Sequence, residues 1–562
     1  MKSILEQGVS STCKELFDVE IDVELTRPEE QFGDYSTNVA LQLSKQLGKN
    51  PREIGEALAL KLRESLVEQV DTVTVAGPGF INLHLNDHAL YGALQKKPSQ
   101  PLKDKSIVAE YSDPNPFKVL HAGHLYTTIT GDAIARLLEA AGATVHRINY
   151  GGDVGLHVGK TMWAIIHYLG GELSDKLAAI DAGERPDWVS ARYVEGNTAY
   201  EQDEKAKAEI TTINKRVYEL HADNDHESAF AQIYWTCRQW SYEGFQTLYE
   251  QLQVTQFERY IAESEVTPIG IEMVSKGLDD GVFTRSDGAV VFVGEPHGLH
   301  TRVFLNSEGL PTYEAKELGL AALKWRDYHF DQGIIITAND IVEYMKVVMK
   351  ALEHFYPEVV ARSKHFTHGI IKLPGGQKMS SRKGNILRAQ DILEAADKAN
   401  LALNGQNNHE TVLGAVKYAL LKNRIGGDII YDPEQSVSLE GNSGPYLQYT
   451  HARARSILQK ARAAAGKAGV SQNEIEFEAG ERSLVRKITE YVEVFDKAVA
   501  ELMPHHICSY LYELAQTFNH FYEHNRVIGD EREAIRLMLL ENYADTLQAG
   551  LGLLGIVAPD KM

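Results

Sequence analysis

An apolar strand, a proline-rich turn, a helix and a second strand succeed one another within residues 107–149, and no other part of the chain restricts the fold as much. Residues 107–111 supply the first strand, about 124–141 the helix and 143–149 the second strand. A β-loop-α-β order of this kind opens a nucleotide-binding α/β domain with a parallel sheet. Further strands are expected at residues 290–293, 334–337 and 369–373. Residues from about 160 to 265 are mainly helical and polar, and read as an insertion into this domain.

The flanks differ in kind. In the first 95 residues Ile54, Leu58, Leu62 and Leu66 keep a helical period. Ile81, Leu83 and Leu85 then line one face of a strand, leaving Phe80, Asn82 and His84 on the other. A polar linker follows at residues 96–105. Beyond about residue 400 the pattern is helical: Leu484, Ile488, Tyr491, Phe495 and Val499 form one stripe. Ile507, Leu511, Leu514, Phe518 and Phe521 form another, with Pro504 between the two. The expected architecture is multidomain α/β, with an N-terminal α+β domain at 1–95, a Rossmann-like parallel-sheet domain at 105–395 carrying the insertion, and an all-α domain at 400–562.

Two segments carry chemistry. Asp113-Pro114-Asn115-Pro116-Phe117-Lys118-Val119-Leu120-His121-Ala122-Gly123-His124 joins the first strand to its helix, where free backbone amides and the helix dipole favour anions. His121 and His124 are three apart and can face one phosphate chain, Gly123 lets a nucleotide approach the backbone, and Lys118 adds a mobile charge. Nucleotidyl transfer calls for such preorganised donors. A lone His-x-Gly-His is weak evidence, and its place between strand and helix gives it weight. The second segment, Lys378-Met379-Ser380-Ser381-Arg382-Lys383-Gly384-Asn385, has three cations and two hydroxyls suited to closing over a triphosphate. Gly159-Lys160-Thr161 resembles the end of a P-loop, but Val154 stands where that motif needs its first glycine.

Charge points to RNA only locally. The chain has a net charge of −21, which governs solubility and steering, whereas RNA affinity depends on basic patches. Among 78 acidic residues none falls within 441–473, while Arg453, Arg455, Lys460, Arg462 and Lys467 do. Arg453 and Lys460 are seven apart, as are Arg455 and Arg462, so each pair occupies one stripe of a helix. The aromatic helix around Tyr510, Phe518 and Tyr522 is expected to offer stacking surfaces for bases. Cys13, Cys237 and Cys508 lie far apart with no Cys-x-x-Cys pair, so reduced, packed thiols are expected rather than a zinc ribbon or disulfides. No stretch approaches the ~20 apolar residues of a membrane span and no apolar leader core opens the chain, which predicts a cytoplasmic protein.

Taken together, His121-Ala-Gly-His124 and Lys378-Met-Ser-Ser381 resemble the HIGH and KMSKS signatures of class I aminoacyl-tRNA synthetases. Within that class the resemblance is to arginyl-tRNA synthetases and covers essentially the whole chain. Gln31-Phe32-Gly33-Asp34-Tyr35-Ser36-Thr37-Asn38 and Ala76-Gly-Pro-Gly-Phe-Ile-Asn82 look like that family's N-terminal additional domain. Glu110-Tyr111-Ser112-Asp113-Pro114-Asn115 looks like its amino-acid-binding strand end, and Asn149-Tyr-Gly-Gly-Asp153-Val-Gly155 like its Gly-Asp-Trp-Gly turn. The segment Glu440-Gly-Asn-Ser-Gly-Pro-Tyr-Leu-Gln-Tyr449-Thr-His-Ala-Arg453 resembles the start of its anticodon-binding domain.

The resemblance implies activation of arginine with ATP and Mg2+, then transfer of the arginyl group to the 3′ end of tRNA(Arg), by a monomer without a tightly bound metal or organic cofactor. It assigns catalysis to Lys118, His121, His124 and Lys378, and ATP binding to these histidines with Gly123, Lys378, Ser380 and Ser381. Glu110, Ser112, Asn115, Tyr313 and Glu317 would bind arginine, and Phe80, Asn82, Arg453, Arg455, Lys460 and Arg462 the tRNA. Four positions depart from the family pattern: Glu317 replaces its pocket aspartate, residues 337–341 lack its glutamine, Ser381 replaces the second lysine of KMSKS, and Val154 replaces tryptophan. A lysine-specific class I synthetase, a small nucleotidyltransferase and an inactive tRNA-binding paralogue are the competing readings. The N-terminal domain, the helical C-terminal domain and the retained histidines with Lys378 speak against them in turn.

Overall fold

A computed structural model describes residues 1–374, 387–405, 408–464 and 475–562. At its centre lies a five-stranded parallel sheet. Its strands are β1 (Ser106–Glu110), β2 (Thr144–Gly151), β3 (Arg259–Ala262), and, further along the chain, Gln332–Ala338 and Ser363–His368. The first strand is apolar on both faces because helices cover both, and Ile107, Val108 and Ala109 are all buried. Helix α1 (Ala122–Ala140) makes the crossover to β2. The next four helices, α2 (Leu156–Leu169), α3 (Arg185–Gln202), α4 (Glu204–Ala222) and α5 (Ala229–Gln251), build the insertion around a core of Val158, Met162, Ile165, Tyr234 and Trp240.

Two expectations need correction here. The insertion ends before β3, which pairs with β2 as the edge strand of the main sheet. The strand expected at 290–293 forms outside that sheet: β5 (Ala289–Phe292) sits between β4 (Thr284–Ser286) and β6 (Arg302–Leu305) in an antiparallel unit of its own. Its apolar run reports a buried strand, and such a run alone does not name the partner strand.

After β6 come α6's partner helix and the remaining strands, where α6 is Glu263–Asp279 and α7 is Tyr313–Tyr328. They are followed by β7 (Gln332–Ala338), α8 (Val342–Leu352) and β8 (Ser363–His368). The sheet order is β8-β7-β1-β2-β3. The chain steps one way from β1 to β2 and the other way from β1 to β7, so a crevice opens at the C-terminal end of β1. The strand expected at 369–373 is only β9 (Ile371–Lys372), which pairs with β10 (Ile429–Ile430).

Helices α6 and α7 cross at two glycines. A Cβ on Gly270 would lie 2.1 Å from the Ala315 carbonyl oxygen, and one on Gly319 would lie 2.3 Å from that of Val266. Gly270→Ala must therefore push α7 away, at a cost of about 1–3 kcal/mol. A lowered melting temperature is expected, since the two helices must separate to admit the methyl group. Unchanged melting would mean that the contact relaxes freely.

The N-terminal residues form helices Lys2–Phe17, Val39–Leu47 and Pro51–Ser65 packed on a three-stranded sheet. The C-terminal part is helical: α9 (Gly444–Ala464), α10 (Ala479–Thr489), α11 (Tyr491–Glu501), α12 (His505–His524) and α13 (Glu533–Leu553). The stripe from Leu484 to Val499 belongs to two helices, α10 and α11, rather than one. An ionic clasp joins the two ends of the chain. The buried Asp34 carboxylate accepts from the Leu85 amide at 2.8 Å and from Arg482 at 2.6 Å, and Arg482 also holds Asp87 at 2.7 Å. Arg27 reaches Glu493 at 2.8 Å. The three cysteines are buried and unpaired, as expected. No helix among the described residues is long and apolar enough to cross a membrane.

Candidate active site

The crevice is entered over a turn with three left-handed residues, Ser112 (φ 77°), Asp113 (φ 48°) and Phe117 (φ 66°). Such backbone persists only where its surroundings over-determine it. Here Asp113 accepts from the Tyr150 amide and Asn115 from the Gly152 amide, both at 2.7 Å, while the Phe117 amide donates to Ser241 at 3.1 Å. The turn is thus riveted to β2 and α5.

The turn delivers two histidines to the first turn of α1. His121 is the N-cap, and its Nδ1 accepts the Gly123 amide at 3.1 Å. His124 sits at N3, and its Nδ1 accepts the His121 amide at 3.3 Å. The rings stack at 3.8 Å. A Cβ on Gly123 would come within 2.9 Å of the His121 ring, so glycine permits this stack. The arrangement is a capping box made of imidazoles. Since each Nδ1 accepts a backbone N–H, the proton of each neutral ring sits on Nε2, which is left to donate into the crevice. Burial, with Lys118 nearby, pulls His121 down to about 4 and, with His121 and Lys118, holds His124 well below its ordinary range. Both are neutral donors at physiological pH. Lys118 is half-buried beside the Tyr193 ring, and burial lowers its pKa.

The second signature falls outside the described residues, and with it Lys378, Ser380 and Ser381. What precedes and follows it is tied to the histidine turn. The Ala122 amide donates to Leu387 O at 2.8 Å, the Ala389 amide donates to Leu120 O at 3.0 Å, and His121 bridges Arg388. Before it, His368 at the end of β8 lies 2.6 Å from Thr127 of α1.

Deeper in, carboxylates meet lysines. Glu110, at the end of β1, is ion-paired with Lys324 of α7, and Glu263, at the start of α6, holds Lys316 of α7 at 2.5 Å. Glu317 lies between these pairs; burial, then Glu110, raises its carboxyl to about 8, while Tyr344 of α8 hydrogen-bonds to it. Asp113 is likewise held far above the usual carboxylate range by burial and by Glu110. Gly152 marks the meeting point: a Cβ there would come within 2.6 Å of Asn115 Oδ1 and 2.7 Å of Glu263 Oε1. Tyr313 stands at the mouth, 52% exposed, with Lys316 over its ring at 5.3 Å.

The expected arginine site is thus gathered in one place, with two corrections. Ser112 Oγ is buried against Tyr249 at 2.8 Å and Thr128 at 2.7 Å, so its hydroxyl serves the turn rather than a ligand. Glu110 is already engaged by Lys324. Glu263, Lys316, Lys324 and His368 carry no motif, and sequence reading missed them. Lys316 and Glu263 are 53 positions apart, and Lys324 and Glu110 are 214 apart.

The expected RNA contacts divide. Phe80 is exposed, but Asn82 is buried in the middle of its sheet, between Ser36 and Thr74, and cannot present its side chain. Arg455 donates to Asp545 at 2.8 Å and Arg462 to Glu541 at 2.7 Å, so that stripe faces the acids of α13. A cation already paired in this way adds little to phosphate attraction. Arg453 lies over the Tyr522 ring at 4.5 Å, and Lys460 is exposed. Tyr510 and Phe518 are buried and offer no stacking face.

Comparisons with known proteins agree with this geometry. The family model "tRNA synthetases class I (R), catalytic domain" matches residues 88–434, "DALR anticodon binding domain" 447–562 and "Arginyl tRNA synthetase N terminal domain" 1–85. An arginine–tRNA ligase of Synechococcus elongatus is 31% identical, with 95% of this chain and 94% of that protein covered. One of Flavobacterium psychrophilum is 29% identical over the full length of both. Among solved structures, Thermus thermophilus arginyl-tRNA synthetase superposes with a TM-score of 0.80 at 24% identity, covering all of both chains. The Plasmodium falciparum enzyme does so at 0.80 and 20%, covering 100% of this chain and 99% of that one.

Proposed function

Since this chain belongs to the arginyl-tRNA synthetase family of class I, we propose how its crevice divides the labour of arginine–tRNA ligation. The enzyme is an arginine–tRNA ligase: it activates arginine with ATP and passes the arginyl group to tRNA. In the first step the carboxylate of arginine attacks the α-phosphate of ATP and pyrophosphate leaves. The Nε2–H donors of His121 and His124 bind the phosphate oxygens as charge builds there, Gly123 admits the nucleotide, and Lys118 adds a cation. Lys378, Ser380 and Ser381 are assigned to the leaving pyrophosphate, and Mg2+ enters as the counterion of ATP. In the second step the terminal ribose hydroxyl of tRNA takes the arginyl group.

Arginine recognition rests on Glu317, with the lysine-paired Glu110 and Glu263 on either side, while Asn115 holds the α-ammonium and Tyr313 covers the mouth. Phe80, Arg453 and Lys460 remain the proposed tRNA contacts. The working units are 1–95, 105–395 and 400–562, in a cytoplasmic monomer. The observation that carries this reading is the imidazole capping box at the switch point of the sheet, one strand end away from two carboxylate–lysine pairs. Amino-acid-dependent ATP–pyrophosphate exchange tests it, run with arginine or lysine and with or without tRNA. Exchange supported by lysine, or absent with arginine and tRNA together, contradicts it.

The raised carboxyl of Glu317 gives a pH signature. Without arginine it keeps its proton up to about pH 8, whereas a bound guanidinium favours the ionised form. Binding below that pH releases a proton, so affinity rises with pH. Equilibrium arginine binding is expected to tighten by up to about tenfold per pH unit between pH 6 and 8 and then to level off. Glu317→Gln removes the dependence. A flat wild-type profile would place Glu317 away from the guanidinium.

A further inference from the structure

Three histidines meet at the phosphate-binding turn, and only one of them has a place for a second proton. His368 ends β8 opposite Ala338 of β7, is buried, and packs its ring on Tyr126 at 4.5 Å. Its Nδ1 lies 2.8 Å from the Gly369 carbonyl oxygen and its Nε2 lies 2.6 Å from Thr127 Oγ1. Thr127 Oγ1 in turn lies 2.9 Å from the Gly123 carbonyl oxygen. This chain of three contacts has an acceptor at each end. A neutral imidazole and one hydroxyl bring two protons, so one contact is left without a proton in either tautomer. An imidazolium brings the third: both ring nitrogens donate, and Thr127 accepts from His368 while donating to Gly123. His121 and His124 are the opposite case. Each Nδ1 already accepts a backbone amide, so a second proton there would break the cap of α1.

We propose that His368 takes up one proton from solvent when the triphosphate of ATP settles on His121 and His124, and so sets a positive charge behind the first turn of α1. The inference rests on the assignment of ATP to that turn. His368 is a positioning residue, acting through Thr127 and Gly123 rather than on the nucleotide. The charged and titratable groups facing it are His121, His124 and Tyr126 of α1, and Asp340 in the segment after β7. Without ATP, burial keeps His368 neutral, against the pull of the Gly369 carbonyl and Asp340. The phosphates of ATP tip that balance towards the charged form.

Calorimetry of MgATP binding to the full chain without arginine, at pH 7.5 in buffers of differing ionisation enthalpy, counts the protons exchanged. The wild-type protein is expected to take up a substantial fraction of a proton per site, and His368→Gln to take up little or none. The affinity of His368→Gln for ATP should also lose the wild-type's weakening with rising pH. Should His368→Gln fail to fold, Thr127→Val keeps the side-chain shape, removes the relay and should also lower the uptake. Equal uptake by wild type and a folded variant overturns the inference while leaving the ATP site intact. If His124→Ala matches the wild type both in MgATP affinity and in the rate of ATP–pyrophosphate exchange, the ATP assignment itself is wrong, and the inference falls with it.

Discussion

His124→Ala should lower arginyl-adenylate formation about 10²–10³-fold, the usual consequence of losing one preorganised donor to a developing phosphate charge. Binding of tRNA should be nearly unchanged. The ring donates through Nε2 only because the His121 amide fixes Nδ1, and because the His121 ring, stacked at 3.8 Å, fixes its plane. Alanine removes the donor together with one member of a capping box, and a lost cap costs about 0.5–2 kcal/mol of helix stability. The two losses separate by experiment: the cap appears in the melting temperature and the donor in the rate of ATP–pyrophosphate exchange at saturating ATP. His121→Ala should behave alike, with the greater loss of helix stability because it is the N-cap. A double variant that still forms adenylate would remove this turn from the mechanism.

Glu317→Gln has the second-largest expected effect. A charge-assisted hydrogen bond to a guanidinium is worth about 1.5–3 kcal/mol, so the arginine requirement should rise about 10- to 150-fold. The ATP requirement should hardly move. The proton on Glu317 sharpens this expectation. Glutamine resembles the protonated side chain, so the penalty should be larger at pH 8.5 than at pH 6.5. An equal penalty on both substrates, or a penalty independent of pH, would exclude a guanidinium contact.

These two residues also mark how far the sequence was legible. His121 and His124 were readable because their chemistry is local: a strand end, a turn and a helix start lie within a dozen positions. Glu317 was readable only through resemblance, since its neighbours in the pocket come from β1, α6 and α8. Lys324 and Lys316 carry no local signal, and are buried because acids arrive from 214 and 53 positions away. Periodicity reports that a face exists and is silent on what covers it. The same limit misled the reading of Arg455 and Arg462, whose partners lie on α13, 90 and 79 positions downstream. β8 was missed because Ser363-Lys364-His365-Phe366-Thr367-His368 alternates poorly, with partly buried polar side chains supported by the sheet beside it.

The clasp at Asp34 sets a timetable for the making of the protein. Its partner Arg482 is 448 positions downstream. At about 5–20 residues per second, the N-terminal unit leaves the ribosome roughly 20–90 s before the helix that closes over it. Throughout that interval Asp34 has only the Leu85 amide for company, and Asp87 faces water. The nascent unit must therefore stay soluble on a surface destined for burial, and two acids at its centre discourage association with a neighbouring chain on the same message. Replacing Asp34 by leucine would then do more harm during synthesis than its effect on the finished enzyme suggests, appearing as lost soluble yield before any lost activity.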